Sequence, residues 1–327
     1  MGLQTKMWLL VALMFGILYG VITGIGSYMG AGSASSYIIL AILFVGLQYL
    51  IGPSLVSMMM RVKWVSEKEE PELHRMVAEL AQRAGIPKPK VGISQLSIPN
   101  AFAFGKSQGD GRVCVTQGIL KLLSKDELKA VIGHEIAHLK HRDMLVITLL
   151  SVIPLICYWV AWSFMWRGMF GGRGQGGYAA LIGLGAMLAY FISNLLVLAG
   201  SRIREYAADE RSVRLGNEPH HLASALYKLV YGSAQARKSR MGEQDLHRVE
   251  GLRAFFLNDV GRAGDEIQEL KSIDRDFSGT IDQNDLLALR SKKVKLSGAE
   301  KVAELFTTHP NMLKRIKHLA SLAGTSA

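Results

Sequence analysis

His134-Glu135-Ile136-Ala137-His138 places two histidines four residues apart with a glutamate beside the first. On a helix, positions i and i+4 share one face a turn apart, so both imidazoles can converge on one ion. Glu135 is free of ligand duty in that arrangement and can take the proton of a water activated there. Zinc is the metal this donor set favours, and a catalytic zinc needs three protein ligands and an open position. His141 follows His134 by seven residues, about 10 Å along a helix axis. That is too far for two groups that must each approach one ion to about 2 Å. His141 therefore reads as a surface residue. The remaining candidates stand in Arg204-Glu205-Tyr206-Ala207-Ala208-Asp209, where Glu205 and Asp209 are again i and i+4. One of these carboxylates can bind the metal while the other orients a ligand histidine.

A second, weaker metal signal lies at Asp274-Arg275-Asp276-Phe277-Ser278-Gly279-Thr280-Ile281-Asp282. It matches the first nine positions of an EF-hand loop, with oxygens at 1, 3, 5 and 9, glycine at 6 and a backbone carbonyl at 7. Position 12 is Asp285, a shorter carboxylate than the usual glutamate. The segment Asp274–Asp285 is a candidate Ca²⁺ or Mg²⁺ loop, with helical segments predicted on both sides.

These groups need helices to hold them. Ser124 and Glu127 form an S-x-x-E capping box, which opens a helix over the first motif running through residue 143. No Pro or Gly separates that helix from the apolar run that follows, so the two read as continuous. Residues 201–216 likewise read as a helix prolonging the apolar run before them. Upstream, Leu73, Val77, Leu80 and Ala84 recur at helical spacing, and Gly85 with Pro87 supplies the stop. Lys90–Ile93, Ala101–Phe104 and Arg112–Thr116 are short β-like runs between turn signals, predicting a small sheet. The C-terminal block reads as mostly helical, with polar linkers near 232–250 and 291–299.

Four uncharged apolar stretches, Met7–Gly30, Tyr37–Met60, Met144–Trp166 and Tyr178–Gly200, each exceed the ~20 residues that cross a bilayer as helix. The first acidic residue is Glu67. The first run is longer than the ~7–15-residue core of a signal peptide and reads as a span. Gly16, Gly20 and Gly24 within it have the spacing that lets helices pack closely in lipid. The glycine-rich Gly168–Gly177 reads as the loop between spans three and four.

The net charge of +11 is explained by topology rather than nucleic acid. Of the 38 Lys and Arg residues, 14 lie in 61–143 and 21 in 201–327. Four spans put both blocks on one side, and positive charge beside spans favours the cytoplasm. Cys114 and Cys157 sit in different milieus, which predicts no disulfide.

The order of two spans, H-E-x-x-H, two spans, then E-x-x-A-D resembles the HtpX-type family of membrane metalloproteases, relatives of the zinc-dependent CAAX prenyl proteases. Pro99-Asn100-Ala101-Phe102-Ala103, and His309-Pro310 followed by Arg315, extend the resemblance over nearly the whole chain. The resemblance implies a zinc endopeptidase that cleaves membrane or misfolded proteins at the cytoplasmic face. It assigns the metal ligands to His134, His138 and Glu205 and the catalytic acid/base role to Glu135. His309 or Arg315 becomes a candidate for stabilising an oxyanion. The strand at Asn100 and Ala101 resembles a substrate-aligning edge strand.

The expected fold is mainly α: a polytopic membrane protein with four transmembrane helices and a cytoplasmic zincin-like α+β metalloprotease domain. Helices one and two occupy 7–60, and helices three and four 144–200. The catalytic parts occupy 61–143 and 201–327. Expected partners are protein substrates and the lipid bilayer, with no nucleic acid. Two other readings are weighed: a protease for prenylated C-termini, which cleavage of such peptides would reveal, and a scaffold with a structural metal. The scaffold is disfavoured because a structural site has no use for Glu135.

Overall fold

The computed structural model describes residues 13, 17, 50–170, 176–248, 256–258, 263–270, 273–276, 278–291 and 298–323. The chain divides into two compact units: Met1–Ile51 with Leu145–Ile203, and Gly52–Met144 with Arg204–Ala327.

In the first unit the described residues are almost all helical, within Asp143–Phe170 and Gly176–Arg214. Their surface carries many large apolar side chains. Trp159, Trp162, Tyr178, Leu181, Leu184, Leu188 and Phe191 are all exposed, with Leu181 and Leu184 each 66% accessible. An apolar exposed face of this extent suits a lipid or protein partner, not water. Among the described residues one helix, Tyr178–Arg214, is long and apolar enough to cross a membrane by length and composition. The sequence predicts four. Of the others, Met7–Gly30 and Tyr37–Met60 as far as residue 49 lie outside the described residues, Leu13 and Ile17 excepted, as do Gly16, Gly20 and Gly24. The third falls on the 28-residue helix Asp143–Phe170, which contains the apolar stretch Ile153–Met165. Residues 171–175 of the predicted glycine-rich loop also lie outside the described residues.

The second unit is built on a four-stranded sheet in the order β1-β2-β4-β3, with β1 Val62–Trp64, β2 Lys90–Ser94, β3 Ala101–Phe104 and β4 Arg112–Thr116. β2 and β4 run parallel, and β1 and β3 pair antiparallel on the outside. Side chains alternate across a strand, and here both faces are covered. Ala101, Ala103, Val113 and Val115 join a core with the helices Pro71–Ala84, Lys125–Lys140, Pro219–Lys238 and Met312–Leu322. Phe102, Phe104 and Cys114 join a smaller core with Val56, Met60, Leu96 and Ile98. The alanines on the first face leave room for the helix Lys125–Lys140 to pack against β3. Cys114 and Cys157 are both buried and unpaired, as the sequence predicts.

Two predicted boundaries move. The motif helix ends at Lys140, with Arg142 in the left-handed region at φ 52, before a new helix starts at Asp143. The predicted continuity fails because a single non-glycine residue adopts αL without a sequence signal to announce it. The predicted linker near 232–250 is instead helical over Pro219–Lys238 and Arg240–Arg248. Most of its polar residues form solvated helix faces, while Ser233 and Asp245 are buried. Residues 292–297 of the second predicted linker lie outside the described residues.

Candidate metal centre

The motif helix begins at the predicted box. Glu127 N–H donates to Ser124 Oγ, and the Glu127 carboxylate accepts from Ser124 N–H at 2.8 Å. Lys228 and Ser224 also donate to Glu127, at 2.9 and 2.6 Å. Burial alone would raise this carboxyl, but Lys228, Ser224 and Ser124 hold it below its ordinary range. Farther along, Gly133 packs closely against Ser212, near the end of the long helix, and Asn217 just beyond it. A β-carbon there would lie 2.2 Å from Asn217 Nδ2 and 2.9 Å from Ser212 Oγ.

At the far end of the helix, His134 Nε2 and His138 Nε2 stand 3.1 Å apart. Glu205 comes from the end of the helix Gly176–Arg214, with Oε2 3.6 Å from His134 Nε2 and Oε1 3.4 Å from His138 Nε2. Donors about 2.0–2.1 Å from one ion in tetrahedral array are about 3.3–3.4 Å apart. Each Glu205 oxygen thus stands near one imidazole nitrogen, and one ligand atom from each of the three residues lies within 4.8 Å of the others, a cluster that suits one zinc. His141, the alternative, caps the helix end, is exposed, and is no member of the cluster.

The outer nitrogens of both histidines face carboxylates. His134 Nδ1 lies 2.8 Å from Asp209 Oδ1, and His138 Nδ1 lies 2.7 Å from Asp143 Oδ2. Such partners fix the ring's tautomer and aim the other nitrogen at the metal. Asp209 is one of the two acids the sequence singles out. Asp143 was missed, because its position depends on the unforeseen break at Arg142. Arg204 Nη2 in turn pairs with Asp143 Oδ1.

Arg315 is wholly buried and donates to Asp209 through Nε at 3.0 Å and Nη2 at 2.7 Å. Its Nη1 lies 3.0 Å from Glu205 Oε2 and donates to Leu257 O at 2.9 Å. The Leu257 N–H donates to Asn100 Oδ1 at 3.0 Å. The two outlying motifs of the sequence thus meet at Leu257, one through Asn100 and one through Arg315, and Arg315 holds the acids beside the histidines. His309 Nδ1 lies 3.4 Å from Glu205 Oε2. Its ring is buried, and neither nitrogen has a hydrogen-bond partner among the described residues.

Glu135 is buried and is not a member of the ligand cluster. The Ala103 N–H of edge strand β3 favours its charged form. Burial, the dominant influence, pushes its carboxyl above the ordinary range, and the two histidines oppose that shift. The arrangement offers a metal site with two imidazoles, one carboxylate and a neighbouring acid that is not among the ligands.

In the second predicted metal loop, Asp274, Asp276 and Asp285 place ligand oxygens within 4.8 Å of one another. Gly279, at position 6, has φ 77, the conformation that position requires. Asp282 Oδ1 accepts from Asp285 N–H at 2.7 Å. Helices Ala263–Leu270 and Gln283–Ser291 flank the loop.

Residues 67–323 match the sequence profile of Peptidase family M48. The chain is 50% identical over 238 residues to the Protease HtpX homolog of Methanothermobacter thermautotrophicus, covering 73% of this chain and 90% of the relative. It is 40% identical over 228 residues to the Protease HtpX homolog of Pyrococcus furiosus, covering 68% and 78%. It is 35% identical over 299 residues to that of Aeropyrum pernix, covering 90% and 88%. Among solved structures, that of S. mikatae Ste24p shares the fold with a TM-score of 0.52 at 14% identity, covering 96% of this chain and 67% of that one. Profile, relatives and the His/His/Glu cluster agree: the chain belongs to peptidase family M48, as a zinc metalloendopeptidase of the HtpX type.

Proposed function

We propose that this protein is a membrane-embedded endopeptidase that cleaves membrane or misfolded proteins at the cytoplasmic face, with His134, His138 and Glu205 as zinc ligands and Glu135 as general base. The observation that carries the reading is the cluster of His134, His138 and Glu205, with ligand atoms within 4.8 Å of one another and Glu135 not among them. Bound zinc supplies Lewis acidity, lowering the pKa of water and polarising the scissile carbonyl. Glu135 accepts the water's proton on its carboxylate and delivers it to the leaving amine nitrogen. His309 donates to the developing oxyanion, which needs a preorganised positive or N–H donor. Arg315 is the weaker candidate for that task, because its donors are already committed to Asp209, Glu205 and Leu257.

Ala101 and Ala103 alternate along β3 with Phe102 and Phe104, and β3 is an edge of the sheet. Edge backbone groups pair with an extended peptide whatever its sequence, which suits a broad substrate range. The exposed apolar side chains of the long helix support a bilayer setting. The concentration of Lys and Arg in 61–143 and 201–327 supports four spans with both blocks in the cytoplasm. The domain plan follows: membrane helices in 7–60 and 144–200, catalytic parts in 61–143 and 201–327. The loop Asp274–Asp285 is read as a Ca²⁺ or Mg²⁺ site apart from the catalytic one.

The test is cleavage of casein and of a membrane-protein substrate by wild type, chelator-treated protein and Glu135→Gln. Loss of a positioned general base should slow cleavage by about 10²–10⁴-fold while zinc stays bound. Unchanged cleavage in the Gln variant would remove the mechanism.

A further inference from the structure

We propose that Asp143 and Arg204 act as a positioning pair for His138, tying the second ligand to the helix that carries the third. The inference rests on the reading of His138 and Glu205 as zinc ligands.

The two ligand histidines are held unequally. His134 has a side chain only 1% exposed, packed within the core side of its helix. His138 is 16% exposed and stands three residues before the helix C-cap. A ligand in a terminal turn needs its ring fixed by something other than packing. The chain supplies this by breaking at Arg142, φ 52, and restarting with Asp143 as the first residue of the next helix. Asp143 Oδ2 then lies 2.7 Å from His138 Nδ1. With the Nδ1 hydrogen given to that carboxylate, the Nε2 lone pair is directed at Glu205 and His134.

Asp143 is itself only 5% exposed, and a buried carboxylate needs a charged partner. Arg204, 8% exposed, provides it by pairing with the other oxygen, Oδ1. Arg204 directly precedes Glu205. One short stretch of helix therefore delivers the third ligand and pins the carboxylate that aims the second. The same plan serves His134, where Asp209 faces Nδ1 and Arg315 holds Asp209. Each imidazole is thus backed by its own carboxylate–arginine pair.

The sign of one substitution separates this from simple electrostatics. Removing a positive side chain near a cation site should tighten cation binding by charge alone. Loss of a clamp should weaken it. The experiment is zinc affinity of the full-length protein in detergent, by competition with a chromophoric chelator, joined to visible absorption of the Co²⁺-substituted protein. Asp143→Asn and Arg204→Gln are expected to weaken zinc binding about 10–100-fold, the range for outer partners of a ligand histidine. Arg204→Lys should recover part of the loss. The double variant should bind no more weakly than Asp143→Asn, since the arginine acts through the aspartate. The Co²⁺ ligand-field bands should shift in Asp143→Asn. Where Arg204→Gln does not fold, the double variant removes both charges together and the Co²⁺ spectrum of Asp143→Asn still decides. His138→Gln is the control. If it loses zinc while Asp143→Asn and Arg204→Gln bind as tightly as wild type or more so, the positioning pair is overturned and the ligand set stands. If His138→Gln itself keeps wild-type affinity, the ligand assignment fails, and this proposal with it.

Discussion

Asp209 offers the sharpest arithmetic in the site. It is fully buried, faces His134 Nδ1 at 2.8 Å and takes two hydrogen bonds from Arg315 at 2.7 and 3.0 Å. Asp209→Asn keeps the shape and removes the charge. Breaking a buried ion pair by neutralising one partner costs about 3–5 kcal/mol. Arg315 keeps Glu205 at 3.0 Å and the Leu257 carbonyl at 2.9 Å, so a loss near the lower end is expected in zinc-free protein. Zinc adds a second effect. Removing the partner of a ligand histidine weakens metal binding about 10–100-fold, equivalent to about 1.4–2.7 kcal/mol. Zinc stabilises by mass action on the folded state, so at saturating metal the two losses add to about 4–6 kcal/mol. Denaturant unfolding in mixed micelles, with chelator and with excess zinc, measures both. The zinc-loaded variant should lose more stability than the zinc-free one. An equal or smaller loss with zinc present would refute the idea that Asp209 acts on the metal through His134.

Gly133→Ala should destabilise by about 1–3 kcal/mol, because the new methyl displaces the Asn217 amide from its bonds to Ser212; Asn217→Ala in the same chain should restore much of that, as thermal unfolding can show. Glu127→Gln should lower stability at neutral pH. A carboxyl held below its ordinary range stabilises above the unfolded pKa and loses that effect as pH falls through the folded one. The difference from wild type should therefore shrink on acidification below about pH 4 and not at alkaline pH, in unfolding curves recorded across that range. For the acidic loop, calorimetric titration of the zinc-loaded full chain should show Ca²⁺ uptake that Asp285→Asn abolishes, with zinc content unchanged. Identical titrations of the two proteins would remove the loop reading.

The histidine pair of the candidate metal site was readable because its spacing is local. His134 and His138 meet through helix geometry alone, and the capping box fixed where that helix starts. The three predicted strands occur within a residue of their expected ends, since Pro, Gly and Asp bracket each one. What depends on tertiary placement was less visible. Glu205 and Asp209 stood out as a pair, and their spacing did not say which is the ligand; only the resemblance chose Glu205, which the structure sets beside both Nε2 atoms while Asp209 faces His134 Nδ1. Asp143 and Arg204 had no pattern to betray them, because their meeting requires a left-handed turn at an arginine. Strand β1 is three residues long with two of them exposed, too short for an alternating signal. The polar stretch 232–248 read as linker because solvated helix faces and loops share a composition.

Zinc K-edge X-ray absorption of the full-length, zinc-loaded protein bears most directly on the whole account. It should show one zinc per chain, with two imidazole nitrogens at about 2.0–2.1 Å and carboxylate oxygen at about 2.0–2.2 Å. A zinc shell without imidazole scattering, or with sulfur in it, would contradict the ion held between His134, His138 and Glu205.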